Sequence, residues 1–490
     1  MSSPTHPPGA DVTLSTPADA AAGHTAGHRS TPGDGTGPSA VDRQHLATLM
    51  AGEQADFIHR NPTSLALSQR AAAHLLFGVP LHWMNDWPTP CALHVASASG
   101  AELVDADGHV LVDFCLGDSG AMFGHSPPAV QRALIEQASR GYTTMLPGDA
   151  AVWLGEALTA RFGLPHWQFA LSASDANRFL LRWIRAATGR SRLLVFDGCY
   201  HGTVDDVFVD LVDAVPTQRA SLLGQVHELT RHTTVIPFND LAALEAALSA
   251  DHAEGRIACL LAEPVMTNIG MVLPDLGYWP AAQALLRKHG VLLVLDETHT
   301  FSCGPGGWAR ANGVLPDALV LGKAIAGGLP CATYGMSADL AARAVAAKRS
   351  APAGHSGIGT TLSANRLGLA TMRATLAEVA TPAAFDHMAA MAERLDAGLR
   401  ATITRYRLPW CVTHIGARVE FQFCPIAPRS GAEAAAAFDD ALEQYLHLAL
   451  LNRGVLITPF HNMMLLSPVT RADQVERLVD SFDAVLAELA

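Results

Sequence analysis

Residues 318–330 read ALVLGKAIAGGLP and form the most informative segment of the chain. Its first four residues are apolar without alternation, which is typical of a short strand buried on both faces. Gly322 ends this run, Lys323 follows, and the next residues are small, apolar or glycine. The segment therefore predicts a buried strand with a lysine at its carboxyl end.

Similar short apolar runs precede this segment, and each is followed by a connection long enough for a helix. They are residues 168–171, 193–196, 234–237, 258–262 and 291–295. Apolar runs that alternate with helical patterns are typical of a parallel sheet covered by helices. The middle of the chain is therefore predicted to be an α/β domain with a mostly parallel sheet.

The remaining segments differ in composition and pattern from this α/β region. The first residues are rich in Pro, Gly, Ser and Thr and predict a disordered tail, and residues 101–104 and 109–114 predict a β-hairpin. A smaller α+β domain is expected from the N-terminal segment and the C-terminus. The predicted units are residues 1–42 (disordered tail), 43–115 (helices and hairpin), 116–340 (large domain) and 341–490 (small domain).

The composition excludes several classes of function. The net charge of -13 argues against a nucleic-acid or anionic-membrane partner, because either would require a basic surface. No apolar run reaches the length of a membrane span, and no signal peptide is recognisable. The eight cysteines are scattered without close pairs, which predicts reduced thiols and a cytoplasmic location.

Polar side chains follow four of the predicted strands. In open α/β sheets the ligand crevice lies at the carboxyl ends of the strands, so these side chains are expected to form one site. They are Ser172 and Ser174, on either side of Ala173, after the first run, Glu263 after the fourth, Asp296 and Glu297 after the fifth, and Lys323 after residues 318–321.

Lys323 carries most of the chemical information, because the chain has only three lysines. Lys288 and Lys348 lie in helical patterns that predict ordinary surface positions. Lys323 lies in an apolar, glycine-rich setting with no obvious carboxylate partner. An amine that loses its proton there is a nucleophile for an aldehyde, which a guanidinium is not. The alternative is a lysine that extends from a strand edge into solvent.

The other strand ends fit an aldehyde cofactor with a phosphate and a ring nitrogen. Asp296 ends the most apolar run, so its carboxylate needs a buried cation such as a protonated pyridine nitrogen; the alternatives are a metal or a structural ion pair. The segment from Ser172 to Ser174 enters a helix whose free N–H groups can hold a phosphate, although a simple N-cap serine looks the same. Together these residues predict pyridoxal 5'-phosphate as the cofactor.

From about residue 75 onward the chain resembles the class III pyridoxal-phosphate aminotransferases, in the branch of glutamate-1-semialdehyde aminomutase and β-amino-acid transaminase. The resemblance implies the fold type I architecture with a seven-stranded sheet, a homodimer with shared active sites, and cofactor contacts from several segments. The similar motifs are S-G-T-E-A (here Ser172 to Ala176), Y-H-G (Tyr200, His201, Gly202), A-E-P-V (Ala262 to Val265, with Glu263), D-E-V (Asp296, Glu297, Thr298), L-G-K with G-G-L-P, and T-L-S-G-N-P (Thr361 to Arg366).

The family assigns roles to several of these positions. The resemblance implies that Tyr200 stacks on the cofactor ring and that Thr361 reaches the phosphate in the neighbouring subunit. Thr298 replaces the valine that packs on the opposite ring face, so a hydroxyl is expected there.

The family's N-terminal arginine, which binds the substrate carboxylate, is missing. This chain has VPLHWM at residues 79–84, so Trp83 and Met84 are candidate substrate contacts, with a core or interface role as the alternative. Arg418 is one candidate for the missing anchor, and a surface ion pair with Glu420 is the alternative. His461 also falls where related enzymes line the site.

The predicted function is an aminotransferase that moves an amino group from an amino acid or amine to an oxo acid through a Lys323 Schiff base and two half-reactions. Lys323 is expected to move the proton between substrate and cofactor. An aminomutase or a racemase with the same cofactor is the alternative. A serine hydrolase and a Walker A nucleotide site are disfavoured, because the G-x-S-x-G and GK[ST] patterns are not matched.

Overall fold

The computed structural model describes residues 41–251 and 254–489. The predicted disordered tail lies outside the described residues except for its last two. One of these, Asp42, caps the first helix by accepting hydrogen bonds from the backbone N–H groups of Gln44 and His45. The helical segment therefore begins where the sequence places the end of the tail.

The helices of the described residues, in chain order, are α1 (Arg43–Arg60), α2 (Pro62–Ala71), α3 (Pro128–Ala138), α4 (Asp149–Phe162), α5 (Ala173–Thr188), α6 (Leu241–Asp251), α7 (Tyr278–Lys288), α8 (Gly307–Ala311), α9 (Ala338–Ser350), α10 (Arg366–Ala374), α11 (Pro382–Arg405), α12 (Gly431–Ala436), α13 (Asp440–Asn452) and α14 (Ala472–Leu489). The strands are β1 (Val95–Ser99), β2 (Glu102–Asp105), β3 (Val110–Asp113), β4 (His166–Ala170), β5 (Arg192–Phe196), β6 (Val209–Val212), β7 (Val215–Gln218), β8 (Thr233–Ile236), β9 (Ile257–Ala262), β10 (Leu292–Asp296), β11 (Ala318–Leu321), β12 (Ala332–Met336), β13 (Cys411–Ile415), β14 (Arg418–Gln422), β15 (Val455–Leu456) and β16 (Met463–Leu465).

The central sheet has seven strands in the order β4-β12-β11-β10-β9-β5-β8. Only β12 runs antiparallel to its neighbours, so the prediction of a mostly parallel sheet is confirmed. Strand β12, which contains Gly335, is not predicted by the sequence pattern. A Cβ at Gly335 would lie 2.7 Å from the Trp167 ring on β4, so the glycine allows the two strands to pair under that indole.

The small domain joins the two ends of the described chain. The predicted hairpin, β2 and β3, pairs with β1, and the C-terminal strand β15 adds to β3 in parallel. A second sheet pairs β13, β14 and β16, and α11 packs against α14. The expected combination of N-terminal and C-terminal segments is therefore present.

The helices that follow residue 340 pack against helices of the preceding region. Helix α9 packs on α5, and α10 packs on α3 and α4. Helix α11 contributes to two hydrophobic cores. Met388 belongs to a core of the central sheet region, and Ala392 belongs to the core of the C-terminal region. Periodicity could not show this, because α9 and α10 are amphipathic helices whichever domain they cover.

None of the described helices is both long and apolar enough to cross a membrane. All eight cysteines are free, but Cys411 and Cys424 lie 3.8 Å apart between their sulfur atoms. Pairing of β13 with β14 brings them together, which their separation in sequence conceals.

Candidate active site

A cavity of about 390 Å³ lies at the carboxyl ends of the central strands. Most of the predicted site residues share it, although they come from distant segments of the chain. Its lining includes Ser172, Ala173, Ser174, Tyr200, Glu263, Asn268, Asp296, Thr298, His299 and Lys323. The four strand ends that the sequence singled out therefore line one cavity.

Lys323 enters the cavity from a one-turn 3-10 helix, Lys323–Ala326, directly after β11. Its backbone φ is 48°, a left-handed conformation that is unfavourable for a lysine and is often found at functional sites. The preceding Gly322 packs against α5, where an added Cβ would lie 2.8 Å from the Ala173 Cβ. Glycine therefore lets the lysine and the start of α5 approach the same cavity.

The Lys323 amine has two polar contacts. Its Nζ lies 2.5 Å from Asp118 Oδ2 and 2.5 Å from His299 Nε2. The expectation that Lys323 lacks a carboxylate partner was therefore wrong. Burial alone would raise the pKa of Asp118, but the charge and the hydrogen bond of Lys323 oppose it, and the pKa is lowered. Asp118 is thus ionised beside the amine.

Asp296 is buried and lines the cavity. Its Oδ2 accepts hydrogen bonds from Asn177 Nδ2 at 2.9 Å and from His201 Nδ1 at 3.1 Å, and its Oδ1 accepts one from the Thr298 N–H at 3.1 Å. Burial acts to raise the pKa of Asp296, but the hydrogen bond and charge of His201 prevail and lower it to about 2. The described residues contain no cluster of side chains suited to a metal. Asp296 is therefore a fixed anion whose cationic protein partner is His201.

Glu297 points away from the cavity. Its carboxylate accepts hydrogen bonds from the N–H groups of Trp308 and Ala309 at 2.7 and 2.8 Å and from the Thr300 hydroxyl at 2.9 Å. Burial raises the pKa of Glu297 to about 7. The two adjacent carboxyl groups therefore have different tasks, and Glu297 anchors the start of α8.

The start of α5 also lines the cavity. Ser172 Oγ accepts a hydrogen bond from the Asp175 N–H at 3.1 Å, so this serine is an N-cap. Ser174 Oγ accepts one from the Thr203 N–H at 3.0 Å. The N–H groups of Ala173 and Ser174 lie in the first turn, where a helix offers no acceptor. The N-cap interpretation of Ser172 is therefore observed, and a capped helix start still presents N–H groups that can bind an anion.

The remaining cavity residues present an aromatic ring, a hydroxyl and a carboxylate. Tyr200 is 38% exposed and lies beside Phe208, with 6.4 Å between the ring centroids. Thr298 Oγ1 is buried and has no hydrogen-bond partner among the described residues. Glu263 accepts a hydrogen bond from Asn268 Nδ2 at 2.8 Å and another from the Thr267 hydroxyl.

The candidate substrate residues and Thr361 lie outside this lining. Trp83 is 39% exposed and packs edge-on against Phe460; Met84 lies next to it in the same one-turn helix, and Thr361 is exposed. His461 is buried and its Nδ1 pairs with Glu420 at 2.9 Å. This pairing replaces the ion pair considered between Arg418 and Glu420.

Arg418 is completely buried behind the cavity. Its Nε donates to the His299 carbonyl at 3.3 Å and to Ser302 Oγ at 3.1 Å, and another guanidinium nitrogen donates to Ser119 Oγ. These contacts fix the loops that carry Asp118 and His299. Arg418 is therefore bonded to protein groups and offers no open face to a substrate carboxylate.

We expect Arg418→Ala to lower the free energy of unfolding by about 3 kcal/mol, because it removes a buried cation from the vicinity of ionised carboxylates. The denaturation midpoint checks this. The KM of a carboxylate-bearing substrate and that of a neutral amine should change alike. An increase of roughly tenfold or more for the carboxylate substrate alone would restore Arg418 as the anchor.

Several residues of the site were missed from the sequence, namely Asp118, Asn177, Thr267 and His299. Asp118 and Thr267 lie in loops, and Asn177 lies inside a helix. His299 had one available signal, since it lies three residues after Asp296 at the end of the most apolar strand.

Comparisons with known proteins agree with this geometry. Residues 83–486 match the family model described as Aminotransferase class-III. A glutamate-1-semialdehyde 2,1-aminomutase of Anaeromyxobacter sp. (strain Fw109-5) is 32% identical over 400 residues, which cover 81% of this chain and 91% of that protein. The crystal structure of a glutamate-1-semialdehyde-aminomutase from Pseudomonas aeruginosa PAO1 is 47% identical, with a TM-score of 0.89, and covers 92% of this chain and 100% of that one. A variant of that enzyme was solved in complex with PMP. An omega-transaminase from Sphaerobacter thermophilus is 27% identical, with a TM-score of 0.80 over 88% of this chain and 99% of that one.

Proposed function

Because this chain belongs to the class III aminotransferase family, we propose that it transfers an amino group between small molecules with pyridoxal 5'-phosphate as its cofactor. The observation that carries the proposal is the placement of Lys323 Nζ in one cavity with the buried anion of Asp296 and the start of α5. An amine, a fixed carboxylate and free helical N–H groups complement an aldehyde, a protonated ring nitrogen and a phosphate. The residues present therefore fit this cofactor.

The cofactor supplies an aldehyde that bonds to amines and a ring that withdraws electrons from the substrate carbon. Lys323 would hold the aldehyde carbon and later carry the proton at the substrate carbon. Asp296 would keep the ring nitrogen protonated, since it is ionised at neutral pH. The N–H groups of Ala173 and Ser174 would hold the phosphate, and Tyr200 and Thr298 would lie against the ring.

Of the two reaction types, we favour a transaminase reaction over an aminomutase reaction. An ionised substrate carboxylate needs a fixed cation in a desolvated site, and no arginine lines the cavity among the described residues. The family's N-terminal arginine is also missing from residues 79–84. These differences favour a substrate other than glutamate 1-semialdehyde. The aminomutase remains the second candidate, because relatives over most of the chain's length bear that name.

The two candidates differ in whether the donor leaves as a separate carbonyl product. In a transaminase it does, and the amino group stays on the enzyme until an oxo acid accepts it; in an aminomutase the amino group ends on the same carbon skeleton and no acceptor is needed. The loaded enzyme should be mixed with a panel of single amines and amino acids without an oxo acid. A transaminase is expected to release about one equivalent of carbonyl product per site and to resume turnover when an oxo acid is added. Sustained conversion of glutamate 1-semialdehyde to 5-aminolevulinate without an added acceptor would establish the aminomutase instead.

We also propose that the enzyme is a homodimer in which Thr361 reaches the phosphate site of the partner subunit. The Arg366 N–H donates to the Tyr142 carbonyl at 2.7 Å, which places the segment after Thr361 beside residues 142–148. This region exposes an unusual number of large apolar side chains, which favours a protein partner. They are Tyr142, Met145, Leu146 and Leu362.

We expect Thr361→Ala to weaken cofactor binding by roughly tenfold, which corresponds to the loss of one hydrogen bond to a charged group. Equilibrium dialysis of the cofactor measures this, and sedimentation velocity should show a dimer for both proteins. A monomeric wild-type protein, or unchanged cofactor affinity in a dimeric variant, would contradict the shared site.

We infer a cytoplasmic location. The support is that all eight cysteines are free, as is usual in a reducing compartment. This includes Cys411 and Cys424, whose sulfur atoms lie 3.8 Å apart. Cell fractionation of the producing organism with an antibody to the protein tests this inference.

A further inference from the structure

His299 lies between the catalytic lysine and a buried carboxylate. It follows β10 closely and is 5% exposed. Its Nε2 lies 2.5 Å from Lys323 Nζ, and its Nδ1 lies 2.6 Å from Thr267 Oγ1. The Thr267 hydroxyl in turn contacts Glu263. The four side chains form one continuous chain of polar contacts.

The hydrogen bonds of Glu263 determine the tautomer of the imidazole. Asn268 Nδ2 donates to Glu263 Oε1, and the Thr267 hydroxyl donates its only proton to Oε2. The Thr267 oxygen can therefore only accept from the histidine, which places a proton on His299 Nδ1. In the neutral ring the Nε2 atom then carries a lone pair, and this atom faces Lys323 Nζ.

The charges around the pair favour a single shared proton. Asp118, Glu263 and Arg418 are the charged groups that act on His299 besides Lys323. One positive charge shared by the lysine and the histidine balances these charges, whereas a second positive charge would be an uncompensated cation in a buried site. Burial and the charge of Lys323 lower the pKa of His299, so the ring resists a second positive charge beside the lysine.

We propose that His299 is a positioning residue for Lys323 that takes up the proton which the lysine releases. In this step an N–H bond of the Lys323 ammonium breaks, an N–H bond forms on His299 Nε2, and the electron pair stays on Nζ. The total charge of the pair does not change, and no proton has to leave the buried site. Glu263, through Thr267, stabilises the imidazolium so formed. The inference rests on the proposed function, in which Lys323 Nζ bonds to the cofactor aldehyde.

The test follows the rate at which the full-length protein, freed of cofactor, bonds to added pyridoxal 5'-phosphate. This rate is read by stopped-flow absorbance as a function of pH, without any amino substrate. If the proton passes to His299, the wild-type rate should be nearly independent of pH between about pH 6 and 8. In His299→Gln the lysine must lose its proton to solvent, so the rate should rise about tenfold per pH unit. At pH 7 it should be roughly a hundredfold below the wild-type rate.

Two further variants distinguish loss of proton transfer to His299 from general damage to the site. Thr267→Val keeps the shape but removes the acceptor for His299 Nδ1–H, so it should show the same pH slope as His299→Gln. His447→Gln is the matched control, because His447 is as buried as His299 but bonds Asn462, 3.1 Å away. Its rate should keep the flat wild-type profile.

The three lysines allow a second readout. In protein labelled with ¹³C at the lysine ε carbons, the Lys323 signal of His299→Gln should shift toward that of a fully protonated ammonium, while the signals of Lys288 and Lys348 stay unchanged. A flat pH profile and an unchanged Lys323 signal in His299→Gln would overturn the proposal, and so would a sloped profile in the His447 control. If His299→Gln does not fold, a flat profile in Thr267→Val overturns it. A failure of the proposed function would look different: the wild-type protein would show no absorbance change with the cofactor, or the loaded enzyme would transfer no amino group.

Discussion

Replacing Lys323 with alanine is expected to reduce amino-group transfer by a factor on the order of 10⁴ or more, the largest effect of any single substitution in this chain. Alanine offers neither the amine that bonds to the cofactor aldehyde nor the group that moves the proton at the substrate carbon. Cofactor should still bind non-covalently, because the start of α5 and Asp296 are unchanged. Steady-state rates and dialysis of the loaded variant measure the two effects.

The other two lysines are natural controls for this prediction. Lys288 forms an exposed ion pair with Glu245 at 3.3 Å, and Lys348 is also outside the cavity. Alanine at either position should leave turnover within about twofold of wild type. Borohydride reduction of the loaded wild-type enzyme followed by peptide mapping should label Lys323 alone. Label on Lys288 or Lys348 would show that the lysine was assigned wrongly.

The parts of the fold that the sequence predicted are those encoded by local pattern. Runs of adjacent apolar residues predicted six of the seven central strands, because strands of a covered sheet are apolar on both faces. The positions of Lys323, Asp296 and Glu263 at strand ends were enough to place them in one cavity. Strand β12 did not follow this rule, since Gly335 and Tyr334 meet specific neighbours on β4 and α5 that periodicity cannot show.

The missed parts depend on contacts between segments distant in sequence. Asp118 lies more than 200 residues before Lys323, in a loop where Asp118 and Ser119 adopt positive φ angles of 46° and 78°. Arg418 fixes that loop from the small domain by donating to Ser119. The sequence marked Arg418 as unusual through its apolar surroundings, but only the tertiary structure shows that its donors face protein groups.

The second large effect is expected from Asp296→Asn, and it depends on which of two adjacent carboxyl groups faces the cavity. Asp296 is ionised and lines the cavity, so its charge would keep the cofactor ring nitrogen protonated. An amide has the same shape but no charge, and it also leaves the buried His201 without its anion. We expect turnover to fall by a factor of roughly 10² to 10³, the range for loss of one preorganised electrostatic contact at a reacting group.

Glu297→Gln should behave differently, because Glu297 bonds the N–H groups of Trp308 and Ala309 instead of facing the cavity. An amide oxygen replaces only one of these acceptors, and its NH₂ group would face the other donor. The expected result is a loss of about 1 to 3 kcal/mol of stability with turnover within roughly tenfold of wild type. The two variants should therefore change different properties. Asp296→Asn should change the absorption band of the bound cofactor, and Glu297→Gln should change the denaturation midpoint. Equal losses of turnover, or an altered absorption band in Glu297→Gln, would mean that the two carboxyl groups had been assigned the wrong way round.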